Sequence, residues 1–284
     1  MSGTVWINGV FKPEAEAFVP IFDRGLLFSD AVYEGIGVLD GKLLNFPYHM
    51  ARLRRSLDKL GFTVPITDDG FRDMFHGLIG RNSIVEGFVY LHVTRGVQPR
   101  DYLYPEGLIP TVFAFAQSQV FCRADDTPSP IRMASSPDLR WARRDIKTSN
   151  LLGQVLAKKD ASRKGCEEVL MYDGQGYVTE GGAVSFFILK DGKLFARPLG
   201  TELLPGVTRK VMLQVAEAND VEIVEDRYRL EDVYGADEAF ITGASRYVHP
   251  VGQIDDHLIG NGRAGPITLQ LRRDYLVEAR ATLT

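Results

Sequence analysis

The chain has 284 residues, 45% of them hydrophobic, enough to bury a substantial core as one large or two medium domains. Its 33 basic and 37 acidic side chains leave a net charge of -4 without a long run of either sign, which argues against a nucleic-acid partner. The two cysteines, Cys122 and Cys166, are too few for a disulfide framework and lack the paired spacing of a zinc site, a usage that suits a reducing compartment.

The opening MSGTVWINGVF lacks the basic and apolar regions of a signal peptide, and no stretch reaches the length of a membrane span, so the expected location is the cytoplasm. Residues 4–40 predict short strands, with Asn8-Gly9 as a hairpin turn and a β-rich run over 32–39 closed by Asp40-Gly41. From Pro47 the texture changes, because Met50, Leu53, Leu57 and Leu60 recur at helical spacing and Gly61 can end the helix. Arg52, Arg54 and Arg55 flank that stripe, and periodicity does not choose among them. Apolar runs at 88–93 and 111–116 predict buried strands, and the turn-rich RGVQPRDYLYPEG between them is a candidate functional loop.

The polar, proline-containing QVFCRADDTPSP at 119–130 predicts a linker, with a boundary near 122 that separates an N-terminal domain, 1–121, from a C-terminal domain, 122–284. Beyond it the pattern predicts a strand at 131–135, a helix carrying Leu151, Leu152, Val155 and Leu156 that Gly165 can end, and strands at 168–172, 177–180 and 184–189. A helix at 208–218, a strand at 238–242 and a final helix at 267–282 follow. Without a strict strand–helix alternation or a repeat, this mixture favours two α+β or mixed α/β domains, and a crevice between them would suit a ligand.

Gly260-Asn-Gly262-Arg-Ala-Gly265 matches a dinucleotide fingerprint in letters, but too little chain follows for the next strand and its ribose-binding acid, so it is read as a turn. No phosphate loop, nucleophile elbow or HExxH is present, and His49 and His92 are read as structural. A more specific set remains. RWARRDIKTSNLLG, 140–153, places Lys147 between a strand and a helix, where its side chain can enter a cleft. YVTEGG puts Glu180 at a strand end beside Gly181-Gly182. LPGVTR opens a helix at Val207 and Thr208, whose free N–H groups and hydroxyl form a natural phosphate site, and AFITGAS runs a strand into a turn at Gly243 and Ala244 whose backbone N–H groups can hold phosphate oxygens.

These pieces resemble, in order and spacing, the fold type IV pyridoxal phosphate (PLP) enzymes, which include branched-chain, D-amino acid and (R)-selective amine aminotransferases and aminodeoxychorismate lyase. The resemblance runs nearly end to end, from Asp23-Arg24-Gly25 and Tyr33-Glu34 through His49 and Arg52-Leu53 to Pro250-Val251, and is most specific at Asp145-Ile-Lys147, Val178-Thr-Glu180-Gly181 and Gly206-Val207-Thr208-Arg209. It implies a two-domain fold with the cofactor in the interdomain cleft. Lys147 would then be the Schiff-base lysine and Glu180 the partner of the pyridine nitrogen, with Arg52, Val207 and Thr208 cradling the phosphate. Where D-amino acid enzymes commonly carry hydroxyl residues in the last phosphate loop, this chain has Gly243 and Ala244, so contact there falls to backbone N–H groups.

The interval from Asp145 to Gly165 looks closest to the D-amino acid aminotransferases. In their substrate loop an arginine and, two positions later, a histidine bind the carboxylate together with a tyrosine from the early strand. Arg100 and Tyr33 match here, while Tyr102 replaces the histidine. A guanidinium pairs with a carboxylate through two parallel hydrogen bonds and a phenol adds a third. The implied reaction is a ping-pong exchange of the amino group between a D-amino acid and a 2-oxo acid, by a homodimer whose substrate loop reaches the partner's site. Amine, branched-chain and lyase activities are the alternatives.

Overall fold

The computed structural model describes residues 3–120 and 127–284. The chain forms two compact units: Met1–Phe121 with Ile146–Asn150 and Thr282–Thr284, and Cys122–Asp145 with Leu151–Ala281. The boundary expected near 122, Cys122 itself and the middle of the expected linker lie outside the described residues.

In the first unit, β1 (Thr4–Ile7) and β2 (Val10–Pro13) form a hairpin, and its turn residues Asn8 and Gly9 have φ of 45° and 96°. Residues 24–28, expected as strand, form a short helix instead, α1 (Arg24–Phe28). Asp23 caps it by accepting from Gly25 N at 2.8 Å, and Thr94 Oγ1 donates to the same carboxylate at 3.0 Å. A local side-chain cap thus overrides the strand texture around it. β3 (Ala31–Leu39) turns through Asp40-Gly41 into β4 (Lys42–Leu43). α2 (Phe46–Lys59) packs on β3, burying Met50, Leu53 and Leu57.

A helix absent from the sequence reading follows, α3 (Asp68–Arg81), with Thr67 as its N-cap and Phe71, Met74, Phe75, Leu78 and Ile79 buried. Its glycines obscure it: a Cβ at Gly77 would come within 2.5 Å of the Phe11 ring, so the close approach of the hairpin requires a poor helix former there. β5 (Gly87–Thr94) and β6 (Val112–Ser118) complete an antiparallel sheet, ordered β2-β1-β6-β5-β3-β4 among the described residues.

The second unit holds β7 (Ile131–Pro137), α4 (Leu152–Arg163), β8 (Glu168–Tyr172), β9 (Val178–Gly181), β10 (Ser185–Lys190), β11 (Lys193–Ala196), α5 (Val207–Ala218), β12 (Ile223–Glu225), α6 (Leu230–Tyr234), β13 (Glu238–Gly243), β14 (Tyr247–Ile254), β15 (His257–Leu258) and α7 (Pro266–Ala281). Its sheet is ordered β12-β11-β10-β13-β14-β7-β8-β9, with β15 paired to β14. β7 lies parallel to both β8 and β14, while β10, β13 and β14 are antiparallel neighbours, so the architecture is mixed α/β. Gly260 and Gly262, at φ of 55° and 76°, lie in the turn before α7, as expected for that glycine cluster. No helix among the described residues is long and apolar enough to cross a membrane.

One assignment is corrected. Lys147, expected in the C-terminal domain, lies in a segment that belongs to the first unit. The reason is backbone pairing: Tyr33 N donates to Lys147 O at 3.0 Å, Ser149 N donates to Ala31 O at 3.3 Å, and Thr148 bridges Val32.

Candidate active site

In the first unit, alternation along β3 places Val32, Glu34, Ile36 and Val38 on one wholly buried face and Tyr33 on the other. Glu34 is a carboxylate at a position the pleat gives to the core, so it requires partners of opposite charge. α2 supplies them, because His49 and Arg52 share its buried face with Ser56. Arg52 donates to both Glu34 oxygens, from Nε at 2.8 Å and Nη2 at 2.7 Å, and His49 Nδ1 lies 2.8 Å from Glu34 Oε2. Burial raises the Glu34 pKa, but the Arg52 guanidinium and His49 outweigh it and hold the carboxyl at about 2. Burial drives His49 below its ordinary range, so Glu34 is ionised and a neutral His49 donates from Nδ1.

Ser56, one turn beyond Arg52, accepts from Lys147 N at 3.3 Å. Together with the pairing to β3, this fixes the backbone of Lys147, and its Nζ sits 4.2 Å from the centre of the Tyr33 ring. Tyr33 stacks on Tyr90, and the Tyr90 hydroxyl meets His92 Nδ1 at 3.0 Å. The first unit thus gathers Lys147, Tyr33, Arg52, Glu34 and His49. Arg54, which periodicity did not separate from Arg52, instead pairs with Asp68 at the surface.

Arg100 and Tyr102 lie elsewhere in this unit, in the exposed loop between β5 and β6. The Arg100 guanidinium sits 5.4 Å from the Phe28 ring centre and 5.5 Å from that of Tyr102, whose side chain is 74% exposed. The loop is anchored: Arg24, held by Asp30 at 2.8 Å, donates to the carbonyls of Asp101 and Tyr102 at 2.7 and 3.3 Å.

Because Glu34 has a lower pKa folded than unfolded, its stabilisation is fully present above the ordinary 4.5 and is lost as pH falls toward about 2. A depression of that size corresponds to roughly 3 kcal/mol. Glu34→Gln should therefore lower stability by about that amount at pH 7 and by distinctly less at pH 3, measured by denaturant unfolding. An equal deficit at both pH values would show that ionisation of Glu34 is not the cause.

In the second unit, β9 carries Glu180, 5% exposed. Its Oε1 accepts from Arg140 Nη1 at 2.5 Å, and its Oε2 lies 3.4 Å from Leu204 N. Arg140 is clamped by Asp138, through Nε at 2.9 Å and Nη2 at 2.7 Å, and Asp138 also accepts from Thr179 Oγ1 at 2.7 Å and pairs with Arg144. Burial raises the Glu180 pKa, and Arg140 opposes that.

Gly206 is the N-cap of α5 and offers no capping side chain, which leaves the first-turn N–H groups at Val207 and Thr208 available to an anion. A Cβ on Gly206 would come within 2.8 Å of Ser185 Oγ, and Ser185 pairs across the sheet with Thr242 on β13. The N-terminus of α5 and the strand end leading to Gly243 and Ala244 therefore converge at Ser185. Thr242 is 2% exposed and its Oγ1 has no hydrogen-bond partner among the described residues. A buried hydroxyl left unsatisfied beside free backbone N–H groups is what a phosphate oxygen would satisfy, so these residues fit PLP. The turn after the strand carries no hydroxyl at Gly243 or Ala244, but Thr242, the last buried residue of the strand, does. The sequence alone assigns no role to Thr242, Glu34, Asp138 or Arg140.

The fold and these residues define a class IV aminotransferase. The model of that family, described as amino-transferase class IV, matches residues 31–254, and the chain belongs to it. Among similar proteins, D-alanine aminotransferase of Staphylococcus haemolyticus is 36% identical over 282 residues, spanning 98% of this chain and 99% of that protein. D-alanine aminotransferase of Listeria monocytogenes is 35% identical over 276 residues, with 96% and 95% of the two chains covered. Among solved structures, the branched-chain amino acid aminotransferase of T.th., solved with pyridoxamine 5'-phosphate, superposes with a TM-score of 0.92 at 26% identity, covering 100% of this chain and 98% of that one. The chain is accordingly a PLP-dependent aminotransferase of mixed α/β fold.

Proposed function

We propose that the protein transfers the amino group of a small D-amino acid such as D-alanine to a 2-oxo acid in a ping-pong reaction. The observation that carries this reading is the likeness, over nearly the whole of both chains, to relatives named D-alanine aminotransferase. Lys147, Arg52, Glu180, Val207, Thr208, Gly243 and Ala244 hold the cofactor in this proposal, with the Thr242 hydroxyl as a further phosphate contact. PLP supplies an electron sink for the pair left when the substrate Cα proton departs. Lys147 Nζ would tether the cofactor and, when free of it, would hold and move the substrate Cα proton. The fixed backbone of Lys147 limits where that amine can reach. Arg52, locked by Glu34, presents its charge without a search over rotamers.

Tyr33, Arg100 and Tyr102 bind the substrate carboxylate in this reading. The exposed position of Arg100 and Tyr102 supports a homodimer in which the loop serves the partner's site. Exposed Phe18, Ile21, Leu103 and Ile109 in the same unit also favour an interface. The cysteine usage supports the cytoplasm as its compartment.

Converting the protein to its aminated form with D-alanine, L-leucine or (R)-1-phenylethylamine, followed by absorbance, tests the proposal. D-alanine should react fastest, and a preference for L-leucine would overturn it. Arg100→Ala should lower kcat/KM for D-alanine by about 2 kcal/mol, roughly 30-fold, because a carboxylate entering the site loses its guanidinium partner. Activity toward the carboxylate-free amine should change much less. Equal losses on both would show that Arg100 only supports the loop.

A further inference from the structure

We propose that Arg140, locked in place by Asp138, is a positioning residue that keeps Glu180 ionised and thereby holds the proton of the Glu180–pyridine pair on the ring nitrogen. This rests on the reading of Glu180 as the partner of that nitrogen.

Glu180 sits on a strand whose four residues are all buried, so water does little to stabilise its charge. A carboxyl in such a place takes up a proton more readily, and Glu180 is indeed pushed upward by burial. A neutral carboxylic acid facing a pyridine nitrogen would donate a hydrogen bond to it and leave the ring uncharged. An anionic carboxylate instead favours the protonated ring. The choice between these states depends on what else touches Glu180. Arg140 touches Oε1 at 2.5 Å, and the other hydrogen bond to this carboxylate among the described residues is the longer one from Leu204 N to Oε2. The other charges at this cluster are Asp138, which raises the Glu180 pKa, and Arg144, which is turned to Asp138.

Arg140 is held so that it has little freedom to leave. Its side chain is 4% exposed, Asp138 grips two of its nitrogens, and Thr179, the residue before Glu180 on β9, donates to Asp138. A buried guanidinium in a bidentate clamp remains charged across the physiological range, so the field at Glu180 is fixed rather than titrating. The Asp138–Arg140–Glu180 row sets the charge on Glu180 by geometry. By contrast, Glu34 in the first unit receives Arg52 directly on both oxygens, with His49 Nδ1 2.8 Å from Oε2.

Two measurements test this. Carbon-13 NMR titration of the glutamate carboxyls in the cofactor-free protein, with the Glu180 signal assigned by its loss in Glu180→Gln, should show the Glu180 pKa rising in Arg140→Met and returning in Arg140→Lys. Nitrogen-15 NMR of the holoenzyme carrying ring-labelled PLP should show a pyridinium shift in the wild type, displaced toward neutral pyridine in Arg140→Met and restored in Arg140→Lys. The double variant Asp138→Asn/Arg140→Met removes the clamp's two charges together, so an unpaired buried Asp138 cannot unfold the protein and obscure the result. If Glu180→Gln moves the nitrogen shift while both Arg140→Met proteins leave it in place, the proposal is overturned. If Glu180→Gln leaves the nitrogen shift unmoved, it is the assignment of Glu180 to the ring that fails, and the carbon titration still reports whether Arg140 keeps that carboxylate charged.

Discussion

Lys147→Ala is expected to abolish transamination and to remove the visible absorbance band of the bound cofactor. The proton-transfer share of the loss alone is on the order of 100- to 10,000-fold, and loss of the tether adds to it. The expectation rests on how the residue is held. Its carbonyl accepts from Tyr33 N, its N–H donates to Ser56 Oγ, and its amine lies over the Tyr33 ring. Neighbouring lysines are differently placed: Lys158 is tied to Glu168 at 2.8 Å, and Lys159 is exposed on α4. Borohydride reduction followed by peptide mass analysis should therefore find the pyridoxyl group on Lys147. Finding it on Lys158 or Lys159 would break the assignment. A small primary amine added to Lys147→Ala should restore part of the proton-transfer rate without restoring the tether, separating the two roles.

The elements that were legible in the sequence are those with an uninterrupted period. β3, β5 and β6 read as apolar runs, α2 as a stripe behind Pro47, and the hairpin turns at Asn8-Gly9 and Asp40-Gly41 as residue pairs that tolerate positive φ. α3 was illegible because Gly70, Gly77 and Gly80 break a pattern that tertiary packing supports, and α1 because a five-residue helix is too short to show a period, although its cap, Asp23, is local. The segment around Lys147 reads as a connection between a strand and a helix of the C-terminal half. Its backbone belongs instead with β3, and no local pattern encodes that pairing.

The resemblance singles out Lys147, Glu180, Thr208 and Arg52. The residues that hold them were harder to see. Glu34 carries a usable signal, a lone acid in phase with Val32, Ile36 and Val38 and therefore turned inward, opposite a helix whose arginines can meet its charge. Asp138 and Arg140 carry none, since the loop containing them has no period and Glu180, the partner of Arg140, lies 40 positions away.

Glu180→Gln is expected to leave PLP bound while slowing removal of the Cα proton by about 2–4 kcal/mol, roughly 30- to 1,000-fold in single turnover. The substitution keeps the shape of the side chain and an oxygen able to face Leu204 N, so the fold around β9 should persist. What it removes is charge, at a buried position where water does little to replace it. Arg140 then keeps its positive charge with only Asp138 to balance it, and the local field turns against a protonated ring nitrogen. The electrons left on the substrate Cα are consequently less well accommodated, which raises the barrier of the step that creates them and leaves substrate capture nearly untouched. Substrate deuterated at Cα should show a larger isotope effect in Glu180→Gln than in the wild type, because proton removal becomes more fully rate-limiting. An unchanged single-turnover rate would mean that the charge on Glu180 serves the packing of Arg140 and Asp138 rather than the reaction.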